Sequence, residues 1–213
     1  MSGVHFIFGN VIAISEHLVW IDCEMTGLDP EKDCLVEISV VITDSDLEIV
    51  DEGIDLVIKP REDSLANMND LVREMHTTSG LINEFATGLD LAEAEQQVLD
   101  YIKQYIPEAR QAPLAGNSIG TDRMFINRYM PALDQHLHYR NIDVSSIKEL
   151  SRRWYPRVYF QLPKKDGGHR ALADIRESIQ ELRYYRETVF VELPGPSSAE
   201  AQIAAEKVSA KLS

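Results

Sequence analysis

The chain of 213 residues has very little cysteine and a deficit of positive charge. Its two thiols, Cys23 and Cys34, cannot build the disulfide framework of a small secreted domain, and a reducing cytoplasm suits them. Lysine and arginine number 21 against 35 acidic residues, a formal charge of -14, which argues against a broad basic face gripping long nucleic acid. It leaves room for a small anionic substrate, because bound divalent cations invert the electrostatics of an acidic pocket. No hydrophobic run is long enough to cross a bilayer, so no membrane partner is expected. Residues 1–16 form an apolar leader without a basic n-region or a convincing cleavage site, so a secretory signal is not expected. The leader reads either as an extra segment on the sheet or as an over-extended start. Internal repeats are absent.

With 44% hydrophobic and 26% charged residues, the composition fits one globular core plus a tail. The core domain is expected over residues 17–193. The Pro194-Gly195-Pro196 linker then opens a flexible C-terminal tail, 194–213, read as a frayed helix or a disordered segment.

Leu18-Val19-Trp20-Ile21 reads as a strand buried on both sides that runs into Asp22-Cys23-Glu24. Acids at i and i+2 of an extended chain project from one face, so Asp22 and Glu24 can share a site. Buried carboxylates need a partner or a metal; the same spacing also occurs at a solvated strand end opening a turn at Thr26-Gly27. Val36, Ile38, Val40 and Ile42 alternate with polar residues, which predicts a half-buried strand. A third strand is expected from Glu48 to Ile58, completing an antiparallel meander. Short helical pieces follow between Ser64 and Glu84. A longer helix starts at Asp90, capped by that residue with Glu93, and Pro107 closes it.

Beyond Pro107 the pattern changes to strand and helix in alternation. Pro113 to Asn117 is a strand that turns at Ser118-Ile119-Gly120 into a helix on which Asp122 shares one face with Phe125, Ile126 and Tyr129. A carboxylate on an apolar stripe calls for a partner. Asn141 to Val144 is a further strand, followed by a helix capped at Ser146 with Glu149 and burying Ile147, Leu150 and Trp154. The aromatic connection Trp154 to Phe160 fits either a subunit interface or a cover for the core. A last helix carries Asp174 near its start, preceded by Gly167-Gly168-His169. In one regular helix His169 and Asp174 would lie about 140° apart. They reach a common site only if His169 stands off the helix, in the loop the glycines supply.

Asp22-x-Glu24, Asp122, and His169 with Asp174 resemble the DEDDh exonucleases. The blocks Trp20 to Leu28, Ala115 to Arg123, Tyr139 to Val144 and His169 to Asp174, in this order, are similar to the oligoribonuclease family from about Leu18 to about Phe190. The resemblance implies an α/β, ribonuclease H-like fold: a five-stranded mixed sheet, an antiparallel meander plus two parallel strands, flanked by helices. It implies hydrolysis from the 3′ end that releases nucleoside 5′-monophosphates. Four carboxylates, Asp22, Glu24, Asp122 and Asp174, without a thiolate cluster select hard cations such as Mg²⁺ or Mn²⁺. Two such ions roughly 4 Å apart can flank a phosphodiester, and His169 is suited to take the proton of the attacking water.

The resemblance also implies that Leu28 wedges between two bases and that Ser118, Tyr139, Arg140 and Ser145 cap a 5′ phosphate, which would restrict the substrate to short single-stranded oligoribonucleotides such as dinucleotides. His76 matches a further pocket position, and Asn117 is counted with the substrate-binding set. Where some members carry a base-stacking tryptophan, this chain has Leu71. Members are homodimers in which the partner's tyrosine, here Tyr139, completes the cap. Two other functions remain compatible with the residues: an exonuclease of the same chemistry acting on longer strands, and a non-catalytic dinucleotide-binding module.

Overall fold

The computed structural model describes residues 15–164 and 170–210. In chain order the elements are β1 (Leu18–Met25), β2 (Leu35–Thr43), β3 (Ile54–Val57), α1 (Glu62–Asn67), α2 (Asp70–Thr78), α3 (Leu91–Tyr105), β4 (Pro113–Gly116), α4 (Gly120–Tyr129), α5 (Pro131–His136), β5 (His138–Asp143), α6 (Val144–Trp154), α7 (Pro156–Tyr159), α8 (Ala171–Thr188) and α9 (Ser198–Ser209). The five strands form one sheet in the order β3-β2-β1-β4-β5. β1, β2 and β3 pair antiparallel, whereas β4 is parallel to β1 and β5 to β4, so the expected meander and parallel pair are both present.

The sheet is covered on both faces. Val19, Ile21 and Cys23 of β1 join Ile38, Val40 and Ile42 of β2 in a core against α3, α4 and α5. Trp20 and Val41 face the other way, toward Ile175, Ile179 and Tyr185 of α8. The alternation of β2 therefore does not mark a half-buried strand: every residue from Leu35 to Thr43 is buried. Its polar residues survive burial because each is paired. Glu37 accepts from Arg170 Nε at 2.7 Å and from the Ala171 N–H at 2.9 Å. Ser39 donates to Asp55 at 2.6 Å, and Thr43 Oγ1 accepts from the Trp20 indole at 2.9 Å.

Other local expectations need correction. β3 is confined to Ile54–Val57, because the chain from Glu48 joins the sheet only through the isolated bridge Thr43–Ile49. Asp90 occupies the N-cap of α3 without a side-chain hydrogen bond. α6 is capped by Asp143, which accepts from the Ser145 N–H, rather than by Ser146. Leu150 and Trp154 are exposed, as are Tyr155 and Phe160, so within this aromatic stretch it is Val158 that packs against the core. The segment after the Pro194 linker forms α9, closed at its start by a Ser197–Glu200 capping box and exposed along its length.

β1, β4 and β5 run parallel, so their carboxyl ends open on one edge of the sheet, where side chains of α/β proteins meet ligands. Asp22 and Glu24, Asn117 and Ser118, and Asp143 to Ser145 all occupy that edge.

Candidate active site

Asp22 and Glu24 share the face of β1 that carries Trp20, the face that α8 covers. Asp174, in the first turn of α8, is thereby brought over the strand end. Carboxylate oxygens of Asp22, Glu24 and Asp174 lie within 4.8 Å of one another. Asp122 comes from the opposite layer, in the first turn of α4, and is 6% exposed. Its Oδ1 accepts from the Cys23 N–H at 3.0 Å, which anchors it beside the trio but outside that tight group. His169, with the glycines before it, lies outside the described residues.

α8 is held in place from its first residues. Arg170 pairs with buried Glu37 at 2.7 Å and with Glu84 at 2.9 Å, and Glu37 is the cross-strand neighbour of Glu24. In the sequence Glu37 reads only as a polar strand position. Its role depends on an arginine 133 residues away, a contact no local pattern reveals.

The electrostatics of the cluster call for a cation. Burial pushes the Asp22 carboxyl well above its ordinary range, and the charges of Asp122, Asp174, Glu24 and Glu37 push it further. Burial, then Glu37, Asp174 and Asp122, raise Glu24 to about 8, with Arg170 opposing. Burial raises Asp122 to about 6 against the pull of its N–H partners. Acids this close cannot all ionise without positive charge among them. An all-oxygen donor set fits a hard divalent ion. Cys23, although between two of the acids, points into the opposite core, and burial pushes its thiol up, so it offers no thiolate.

The remaining candidates divide into three groups. Leu28 is 74% exposed on a turn braced by a residue not foreseen, Asp33. Asp33 accepts from Thr26 Oγ1 at 3.0 Å and from the Asp29 N–H at 2.9 Å. It packs so tightly under Gly27 that a Cβ there would come within 2.4 Å of its carboxylate. His76 is fully buried, and its Nε2 lies 2.8 Å from the Met25 carbonyl, to which it can only donate. Leu71 is exposed on α2.

The second group sits at the ends of β4 and β5. Ser118 adopts a left-handed backbone (φ 54°), unusual for a side-chain-bearing residue, and its Oγ lies 3.0 Å from Ser145 Oγ. Asp143 creates this pair: its Oδ1 accepts from both the Ser118 N–H at 3.0 Å and the Ser145 N–H at 2.9 Å. In the sequence Asp143 reads as a strand residue, although aspartate before a helix is a recognisable cap. Asn117 stands behind the hydroxyl pair, its Oδ1 accepting from Ser145 at 3.1 Å. The third group, Tyr139 and Arg140, is exposed on the edge strand β5, with the guanidinium 5.5 Å from the Tyr139 ring centre.

Residues 19–182 match the RNase_T family, described as Exonuclease. The oligoribonuclease of Leifsonia xyli subsp. xyli is 64% identical over 197 residues, covering 92% of this chain and 95% of that protein. The oligoribonuclease of Streptomyces avermitilis is 56% identical over 194 residues, covering 91% and 97%. Among solved structures, exonuclease I from Methylocaldum szegediense has a TM-score of 0.58 at 20% identity over 81% of this chain. The zinc-bound complex of E. coli exonuclease I with single-stranded DNA has a TM-score of 0.59 at 14% identity over 82%. The chain spans 41% of each of those longer proteins, and the likeness is one of fold. The carboxylate cluster, the matched family and relatives of this identity along nearly their whole length together place the chain in the exonuclease family and, within it, among the oligoribonucleases.

Proposed function

We propose that this chain is a 3′-to-5′ exoribonuclease that hydrolyses very short oligoribonucleotides, above all 5′-phosphorylated dinucleotides, to nucleoside 5′-monophosphates. The observation that carries the reading is the group of Asp22, Glu24 and Asp174, with oxygens within 4.8 Å of one another, on the same sheet edge as the Ser118–Ser145 hydroxyl pair. Two divalent cations, Mg²⁺ or Mn²⁺, held by Asp22, Glu24, Asp122 and Asp174, would stabilise charge on the phosphodiester and acidify the attacking water.

The chain's own residues supply the rest. Asp22, Glu24 and Asp174 would hold those cations over the end of β1 and so draw the scissile phosphate to that point. His169 takes the proton from the attacking water at a ring nitrogen. Leu28, exposed on its braced turn, separates the two bases, and His76 supports that turn from below through the Met25 carbonyl. Ser118, Ser145 and Arg140 receive the terminal 5′ phosphate, with Asn117 orienting the hydroxyls and Arg140 able to pair with phosphate bidentately. A strand that continues beyond that phosphate would have to displace them.

Tyr139 completes the cap from a second copy of the chain in a homodimer, a reading supported by the exposure of Tyr139, Trp154 and Phe160. Sedimentation showing a lone chain at micromolar concentration would remove that part. The net charge of -14 supports a small substrate over stable binding of long nucleic acid. Among the described residues no helix is long and apolar enough to cross a membrane; a cytoplasmic setting is the proposed one.

Single-turnover hydrolysis with Mn²⁺ tests the reading, comparing a 5′-phosphorylated diribonucleotide with a long single strand. Fast cleavage of the dinucleotide and slow attack on the long strand are expected. Equal rates would make the protein a general exonuclease, and tight dinucleotide binding without cleavage would make it a binding module.

A further inference from the structure

Behind the Ser118–Ser145 pair runs a chain of hydrogen bonds whose direction is fixed at its buried end. Ser178 Oγ donates to the Asp174 carbonyl at 2.8 Å, and a carbonyl only accepts, so the single Ser178 proton is committed there. The atom of Asn117 that faces Ser178 at 2.8 Å is therefore the amide nitrogen, which also faces Glu181 Oε2 at 3.4 Å. That leaves Asn117 Oδ1 toward Ser145, which donates to it at 3.1 Å. Ser145 has no second proton, so across the 3.0 Å separation Ser118 is the donor. Only the Ser118 proton can swing outward without breaking a buried hydrogen bond.

Glu181 reinforces this polarity. It is 3% exposed, 3.4 Å from Lys148 Nζ and 3.3 Å from the Tyr185 hydroxyl. A reversed Asn117 amide would turn its oxygen toward the Glu181 carboxylate, two acceptors facing each other in a buried site. Glu181, Ser178 and Asp174 also lie on one helix, α8. Seven residues separate Asp174 from Glu181, a rise of about 10 Å along the axis. One rigid element thus spans from the metal-binding trio to the base of the hydroxyl pair.

We propose that Glu181 and Ser178, each through the Asn117 amide, are the positioning residues of the terminal-phosphate site, holding the hydroxyl pair so that Ser118 is the outward donor and tying its distance from the carboxylate trio to α8. The proposal rests on the reading of the hydroxyl pair as a 5′-phosphate site. Neither Glu181 nor Ser178 touches the substrate in this scheme.

The test compares wild type, Glu181→Gln and Ser178→Ala on a 5′-phosphorylated diribonucleotide and its 5′-hydroxyl counterpart, with Mn²⁺ and with melting curves to verify folding. Glutamine can donate to a reversed Asn117, and alanine removes the acceptor that orients it. Each variant is expected to lose about tenfold in kcat/KM on the phosphorylated dinucleotide, mostly through KM, and far less on the hydroxyl form, the scale of one misdirected hydrogen bond. A folded variant whose preference for the phosphorylated form equals that of wild type overturns the proposal. Wild type without any such preference overturns instead the reading beneath it.

Discussion

Asp22 faces Glu24 and Asp174 across less than 5 Å, so removing its charge has opposite effects on turnover and on the stability of the metal-free fold. Asp22→Asn is expected to lower the single-turnover rate by about 10³-fold or more, the scale of losing a group that acts on transition-state charge. In chelator the same variant should melt higher than wild type by roughly 3 °C, since relieving about 1 kcal/mol of repulsion shifts a domain of this size by that much. A metal-free variant that melts lower would mean that the acids are not in conflict. His169→Ala separates proton transfer from metal binding: the rate should fall roughly 10²–10⁴-fold, while calorimetric Mn²⁺ titration stays near that of wild type. Loss of Mn²⁺ binding would make His169 a ligand rather than a base.

At the scale of the element, α8 matters most, because it brings Asp174 to β1 and carries Glu181 beneath the hydroxyl pair. Its first turn is pinned by Arg170 to Glu37, a carboxylate with no exposed surface that burial pushes up while the Ala171 N–H and Arg170 pull against it. Arg170→Met should therefore destabilise by about 3 kcal/mol, because it strands a buried charge. Adding Glu37→Gln should recover part of that loss in urea unfolding; a purely additive double variant would show that the pair is not coupled.

These same residues explain what was and was not legible in the chain. The period-two spacing of Asp22 and Glu24 and the apolar stripe around Asp122 are local signals, and the carboxylates they mark are buried at Glu24 and Asp122 and half-buried at Asp22. β2 misled because alternation says which residues share a face, not whether a second layer covers it; α8 and its arginine do. The cap of α6 was misplaced because Ser146 and Glu149 match a capping box by spacing alone, whereas Asp143 makes the bond and also holds Ser118. Asp33 and Glu181 act on residues distant in the sequence or through a relay, so no short motif marks them.

Across the whole molecule, the acidic excess becomes a dependence of stability on pH and metal. Asp22, Glu24 and Asp122 all titrate above their ordinary values in the folded state, Glu24 at about 8 and Asp122 at about 6. At this cluster the folded protein then binds more protons than the unfolded chain, so the cluster's contribution to metal-free stability is greatest near pH 4 and declines up to about pH 8. The decline should amount to roughly a few kcal/mol. Mn²⁺ should restore most of it at pH 8 and little at pH 5, which melting curves in chelator and in Mn²⁺ would reveal. A metal-free melting temperature that rises over this range would contradict the repulsion described here.

The most direct measurement is anomalous diffraction at the manganese edge from His169→Ala crystals soaked with Mn²⁺ and a 5′-phosphorylated diribonucleotide. The expected map holds two manganese peaks roughly 4 Å apart among Asp22, Glu24, Asp122 and Asp174, with the terminal phosphate on Ser118, Ser145 and Arg140. Manganese elsewhere, or a terminal phosphate left in solvent with the strand passing Arg140, would contradict a short-substrate exoribonuclease built on this edge of the sheet.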